Sequence, residues 1–229
     1  MGQTYRIDRL NLITRKRRPQ KVVNEARCRY LAKSQLVKCN AQNKHFDYLN
    51  FRGSHFKKVD FSFAKISGCD FWGTSFNKCN FSNAYITDCV FMGCKFIDCK
   101  FDTAHIEYTT IVNTNLSGCR NIVLGKFVEV LSQYPDYQHT SDLEEVLEAL
   151  KDNTNIRKYK LLHLPGNKYN RLNLYLLQKK FSPEELPKLL WRISGKSNRN
   201  LTTYKKLELE KKEWYNIYVP PHTIERLCC

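Results

Sequence analysis

The chain has 229 residues, enough for one large domain or two small ones with a buried core. Hydrophobic residues make up 42% and charged residues 26%, a balance that excludes a wholly disordered chain. No apolar run approaches the roughly 20 residues that a membrane-spanning helix needs. The formal charge of +16 favours an acidic partner, such as nucleic acid, an anionic membrane surface or an acidic protein.

The basic excess lies mostly at the N-terminal end. Residues 1–45 hold 12 basic and 2 acidic residues, whereas residues 46–121 hold 8 basic and 7 acidic residues. We interpret residues 1–25 as a basic N-terminal segment or cap. A dense basic run can bind phosphate backbones or anionic lipid, although a solvated tail has the same composition. The candidate nucleic-acid or anion-binding residues are Arg15, Lys16, Arg17, Arg18 and Lys21.

A repeat with a period of five begins at Phe46. Large apolar residues occupy every fifth position from there: Phe46, Phe51, Phe56, Phe61, Ile66, Phe71, Phe76, Phe81, Ile86, Phe91, Phe96, Phe101, Ile106, Ile111 and Leu116. The positions two residues earlier are mostly small or β-branched, and six of them are cysteines: Cys69, Cys79, Cys89, Cys94, Cys99 and Cys119. A weaker register from Ala26 indicates an extra coil or an irregular cap before Phe46.

A period of five fits neither a helix nor a flat strand. Five residues advance about 500° around a helix, and they alternate faces along a strand. All the large residues point inward only if the chain turns a corner every five residues, so that four turns close a coil of about 20 residues. Ala64, Ala84 and Ala104 each begin an Ala-x-Ile block, at steps of 20. We therefore predict a parallel β-solenoid over residues 26–121, with clear repeats from about residue 46.

These blocks resemble the pentapeptide-repeat family. Cys69-Asp70-Phe71, Cys79-Asn80-Phe81 and Thr114-Asn115-Leu116 are similar to the family pattern A-[D/N]-[L/F]-x-x. The resemblance implies a right-handed quadrilateral β-helix. One branch of the family mimics DNA with a strongly acidic surface and binds type II topoisomerases, and the near-neutral repeat block disfavours that role here. Some secreted bacterial effectors have a similar architecture, and that role stays open.

The repeat cysteines fit a core role better than a metal site, because zinc ligands favour shorter, paired spacings. The first residues lack the apolar core of a signal peptide, so we expect reduced thiols in a bacterial cytoplasm. No motif of a phosphate-binding loop, a zinc protease or a serine hydrolase occurs. We therefore predict no catalytic residue, no metal and no cofactor.

One predicted face of the solenoid carries an outward apolar stripe. Trp72, Met92 and Val112 recur at steps of 20, and Val90 lies beside Met92. Because exposed apolar stripes mark contact surfaces, these four residues are the candidate partner-binding site. The alternative is that the N-terminal segment or a C-terminal helix covers the stripe.

Residues 122–229 lose the period of five and predict an α-helical C-terminal domain. Predicted helices cover 124–134, 156–164 and 169–181. Ser141-Asp142-Leu143-Glu144 has the spacing of a capping box, and Ser182-Pro183-Glu184-Glu185 begins another helix.

Together these patterns predict a non-enzymatic scaffold or regulator that binds a protein partner. Binding of nucleic acid or an anionic surface by the basic segment is the alternative. The sequence leaves homo-oligomerisation open.

Overall fold

The structure is a computed structural model that describes residues 14–16, 21–194 and 200–210. Arg17 and Arg18 of the predicted basic site lie outside these residues. The chain divides into two compact units, Met1–Pro135 and Asp136–Cys229. Within the described ranges, no helix is both long and apolar enough to cross a membrane.

The first unit is a parallel β-solenoid of about five turns. Its strands are two or three residues long, because the chain turns a corner after each one. They are β1 (Thr14–Lys16), β2 (Lys21–Val23), β3 (Ala26–Arg27), β4 (Gln35–Val37), β5 (Cys39–Asn40), β6 (His45–Asp47), β7 (His55–Lys57), β8 (Lys65–Ser67), β9 (Asp70–Trp72), β10 (Ser75–Asn77), β11 (Tyr85–Thr87), β12 (Val90–Met92), β13 (Lys95–Ile97), β14 (Cys99–Lys100), β15 (His105–Glu107), β16 (Thr110–Val112), β17 (Cys119–Arg120) and β18 (Glu129–Leu131).

The strands stack into the four sides of the solenoid. One side contains β4, β7, β10 and β13, the next contains β3, β6, β8, β11 and β15, and a third contains β9, β12, β16 and β18. The fourth side contains β1, β2, β5, β14 and β17. Bridges between Asn40, Asp60, Asn80 and Lys100 complete it. Partners such as Phe56 and Phe76 are 20 residues apart, which confirms the predicted coil.

Columns of phenylalanine rings fill the solenoid. Phe76 is fully buried, and its ring stacks on those of Phe56 and Phe96 at centroid distances of 5.2 and 4.9 Å. Neighbouring columns meet edge to face, as Phe76 and Phe81 do at 5.6 Å. Each ring therefore has aromatic neighbours along its own column and in the next one, and the predicted continuous core is confirmed.

The small residues two positions before each large one join successive coils. Their side chains donate hydrogen bonds to the carbonyl oxygen 23 residues earlier, as Thr74 Oγ1 does to Phe51 at 2.9 Å and Cys69 Sγ does to Phe46 at 3.3 Å. Cys69, Cys79, Cys89, Cys94 and Cys99 are buried, which confirms their predicted core position, whereas Cys119 is partly exposed. Burial raises the pKa of the Cys94 thiol to about 12.

The solenoid is regular from Ala26 and continues past the predicted end at residue 121. Ala26 pairs in parallel with Phe46, so a regular coil, not an irregular cap, precedes the clear repeats. At the other end the predicted helix over 124–134 is wrong, because β18 stacks in parallel on β16. Thr110 pairs with Glu129, one residue short of the 20-residue step, and this slip hides the last coil from the period of five.

The described part of the second unit contains the helices α1 (Ser141–Ala149), α2 (Thr154–Tyr159), α3 (Arg171–Gln178) and α4 (Glu185–Ser194), and a short hairpin of β19 (His163–Leu164) and β20 (Lys168–Tyr169). Residues 204–210 are also helical. The core of the unit includes Leu147, Leu162, Leu177 and Leu190.

Helix ends in this unit differ in part from the predictions. The N-cap of α1 is Thr140, one residue before the predicted capping box, and its Oγ1 accepts a hydrogen bond from Leu143 N at 3.3 Å. A helix does follow the predicted start at Ser182, although α4 begins only at Glu185, and Ser182 and Glu185 exchange side-chain to backbone hydrogen bonds. The predicted helix over 156–164 is too long, because Lys160 takes a left-handed conformation and ends α2.

Candidate binding surfaces

The predicted apolar stripe is largely covered. Trp72 is 7% exposed, Val90 and Val112 are fully buried, and only Met92 is partly exposed. The ring of Tyr134 lies edge-on to Trp72 at 6.4 Å. The expectation of an exposed stripe is therefore wrong for three of its four residues. Partner binding there stays a prediction, and a partner would have to displace the segment that follows β18.

A buried charged cluster lies beside the stripe. The Arg52 guanidinium sits 3.6 Å from the Trp72 ring centroid, in a cation–π contact. Burial lowers the pKa of Arg52 to about 10, while the nearby negative charge of Asp70 opposes that shift. Asp70 is itself fully buried. The cluster therefore holds this side of the solenoid together and offers no open site.

The last coil leaves apolar side chains in solvent. Phe127 is 73% exposed and stacks on Tyr108 at 5.0 Å, while Val123 is 70% and Val130 is 54% exposed. Val130 pairs with Ile111, so it continues a core column that ends in solvent. We call Tyr108, Val123, Phe127 and Val130 the open end. This surface was not expected, because the sequence of residues 124–134 predicts a helix there.

The described part of the basic segment is built onto the fourth side of the solenoid. Arg15 and Lys16 belong to β1, which pairs antiparallel with β2, and Lys21 belongs to β2. In turn β2 pairs in parallel with β5, with Lys21 opposite Cys39. The backbone of these three predicted residues thus extends a sheet of the solenoid.

The described residues do not form a recognisable reactive centre. Across 14–16, 21–194 and 200–210, no group of three or more His, Cys, Asp or Glu residues is arranged to hold a metal ion. His45, His55 and His105 are exposed on the sides of the solenoid. His163 is buried in the second unit with Nε2 2.9 Å from the Leu147 carbonyl oxygen, and burial lowers its pKa.

Family models of known proteins match the five-residue repeat of this chain. Family models described as pentapeptide repeats match residues 34–73 and 76–120. Among curated proteins, no match was found.

Several solved structures are similar to the chain. HetL, a pentapeptide repeat protein involved in heterocyst differentiation regulation from the cyanobacterium Nostoc, is 15% identical over 44% of this chain and 47% of its own, with a TM-score of 0.37. The match thus spans about half of HetL. A pentapeptide repeat protein from the thylakoid lumen of Arabidopsis thaliana is 15% identical over 67% of this chain and 88% of its own, with a TM-score of 0.30. QnrB1, a plasmid-mediated fluoroquinolone resistance protein, is 16% identical over 48% and 57%, with a TM-score of 0.15.

Proposed function

We propose that this pentapeptide-repeat protein is a non-enzymatic scaffold that binds a protein partner at the open end of its solenoid. The observation that carries the proposal is the exposure of Phe127, Val123 and Val130 at the end of an otherwise well-filled core. Soluble proteins rarely leave such a group of large apolar side chains uncovered unless it is a contact surface.

The size of this surface fits a protein contact. Full burial of one large apolar side chain is worth about 1.5–3 kcal/mol, so covering the exposed parts of the open end is worth roughly 4 kcal/mol. A micromolar complex needs about 8 kcal/mol. The apolar side chains would therefore supply about half of the binding free energy, and polar contacts must supply the rest.

The strands of the last coil can supply those polar contacts. Both β17 and β18 are the last strands of their sheets among the described residues. A strand of another protein can pair with an outer strand and so extend the sheet. We therefore expect a partner that offers an edge strand flanked by apolar side chains.

The test compares two exposed phenylalanines. Phe127 and Phe63 both lie at corners with positive φ, at 55° and 58°, and both are more than half exposed, but only Phe127 belongs to the open end. Proteins captured from host lysate after nuclease treatment and a high-salt wash should be lost with Phe127→Ala and retained with Phe63→Ala. Equal capture by both variants, or equal loss, would contradict the proposal.

A second candidate function is binding of nucleic acid or an anionic surface by Arg15, Lys16, Arg17, Arg18 and Lys21. The placement of β1 and β2 on a solenoid sheet favours it, because it ties the described part of the basic segment to a rigid support. Replacing the five residues by glutamine should lower the affinity for oligonucleotides or anionic vesicles at least tenfold at about 0.1 M salt and reduce the salt dependence of binding. Unchanged binding would exclude this function.

A further inference from the structure

We infer that one corner of the solenoid is a binding site for a nucleic-acid backbone. The site is a cationic ridge along the fourth side, separate from the open end and independent of the partner proposed there. It consists of Lys38, Lys58, Lys78, Lys100 and Arg120.

Three of these residues form a ladder of like charges. Lys38, Lys58 and Lys78 stand 20 residues apart at the same corner, all exposed, with φ values of 52°, 53° and 53°. Each backbone N–H donates to a carbonyl of the next coil, at 2.9 Å for Lys38 and 2.8 Å for the other two. The ladder is therefore built on rigid backbone with one cation per coil, about 4.8 Å apart.

The ridge continues on the adjacent strands. Lys100 and Arg120 are paired on β14 and β17, and both are exposed. Together with Lys78, Asn80 and Asp98, they line an open cleft of about 520 Å³. Cations flanked by an amide suit a phosphate group, which accepts both charge-assisted and neutral hydrogen bonds.

Two of the carboxylates on this side are engaged by neutral groups. Asp60 accepts hydrogen bonds from the amides of Gln42 at 2.7 Å and Asn80 at 3.0 Å. Asp102 accepts one from the Asn121 amide at 2.5 Å. The remaining acid, Asp98, is exposed at the fourth position of the lysine corner, where it ends the ladder.

The shape of the ridge favours nucleic acid over other anions. Lys38, Lys58 and Lys78 repeat at one corner, and Lys100 and Arg120 continue the series on the next two coils, two positions further along each coil. The five cations lie on five successive coils, which span about 19 Å, or roughly six nucleotides of a duplex strand at 3.4 Å each. A protein interface would centre on aromatic anchors, whereas the cleft on this side is lined by three cations, the Asn80 amide and the Asp98 carboxylate.

The first test removes the ladder. The probe is a labelled oligonucleotide of about 20 nucleotides, single-stranded or duplex, titrated by fluorescence anisotropy at several salt concentrations. In the triple variant Lys38→Gln/Lys58→Gln/Lys78→Gln, affinity at about 0.1 M salt should fall at least tenfold, and the log–log salt slope should fall by about 3. The matched control is Lys65→Gln/Lys168→Gln/Lys180→Gln, which removes three exposed lysines elsewhere.

The control separates a ridge from general charge. Its affinity should fall no more than about threefold, because net charge acts on binding only through the long-range field. Equal loss in both triples, or no binding by the wild type at 50 mM salt, would overturn the inference. So would tighter binding to polyglutamate or to phosphatidylserine vesicles than to the oligonucleotide.

The second test extends the ladder and does not rely on a loss. Asp98→Lys places a fourth lysine at a corner that already tolerates three of them, so the fold should be kept. Oligonucleotide affinity should rise at least fivefold. The control Asp88→Lys makes the same charge change at another corner with φ of 54°, and it should have much less effect. Equal gains in both variants would refute a localised site.

Discussion

Phe76 is the most informative position for testing the core. Its side chain is fully buried and touches rings above, below and to both sides, with Phe71 at 5.5 Å and Phe81 at 5.6 Å. A buried Phe→Ala substitution costs about 3–5 kcal/mol, and each lost aromatic pair adds to the area term. We therefore expect Phe76→Ala to lower the free energy of unfolding by about 4–5 kcal/mol, near the upper end of that range.

The assay is urea unfolding followed by far-ultraviolet circular dichroism, with the melting temperature as a second readout. At roughly 3 °C per kcal/mol, the melting temperature of Phe76→Ala should fall by about 12–15 °C. Phe127→Ala is the control, since that side chain is mostly exposed and its loss should cost within about 0.5 kcal/mol. If Phe76→Ala cost less than about 1.5 kcal/mol, or no more than Phe127→Ala, the stacked columns would not be the source of stability.

The remaining predictions concern buried polar groups. Cys69, Cys79, Cys89, Cys94 and Cys99 should resist alkylation at pH 8 until urea unfolds the chain, and mass spectrometry of early adducts on them in the folded protein would contradict their burial. Arg52→Met should lower the free energy of unfolding by about 3–5 kcal/mol because it strips Asp70 of a buried positive charge, and Arg52→Met/Asp70→Asn should recover most of the loss in urea titrations. Burial lowers the pKa of His163 below 6.5, so the unfolded chain binds a proton at this histidine more readily than the folded unit does. The free energy of unfolding should therefore fall as pH drops below about 6.5. His163→Gln should flatten that dependence, measured by urea unfolding between pH 5 and 8, and an unchanged slope would point to other groups.

The solenoid could be predicted from the sequence because its rule is local. Each large residue, such as Phe76, must point inward, and each small residue, such as Cys79, must fit beneath the next coil. Both requirements recur every five residues, so they appear in the sequence as a period of five. The last coil could not be predicted in this way. It is one residue shorter than the others, between Thr110 and Glu129, so its residues no longer fall in the period of five.

The binding surfaces were harder to predict. Trp72 and Val112 were predicted to be exposed, but both are buried, and the ring against Trp72 is that of Tyr134, beyond the last recognisable repeat. The open end was missed for the same reason. Lys38, Lys58 and Lys78 recur at steps of 20 in the sequence. They were not recognised as a site, because the near-neutral net charge of residues 46–121 does not show that basic residues gather at one corner.

A square solenoid separates its surfaces by construction, and this explains why the two proposed sites can coexist. A residue's position modulo 20 fixes its side, and its coil number fixes its height along the axis. Lys38, Lys58 and Lys78 share one position modulo 20 and form a ridge along the axis, whereas the open end lies on the last coil and, through Tyr108, on the coil before it. Phe127 and Lys58 therefore belong to separate surfaces that share no residue. Substitutions in one should leave the other intact, so oligonucleotide binding by Phe127→Ala should match that of the wild type. A fall in that binding would mean that the open end and the ridge serve a single ligand.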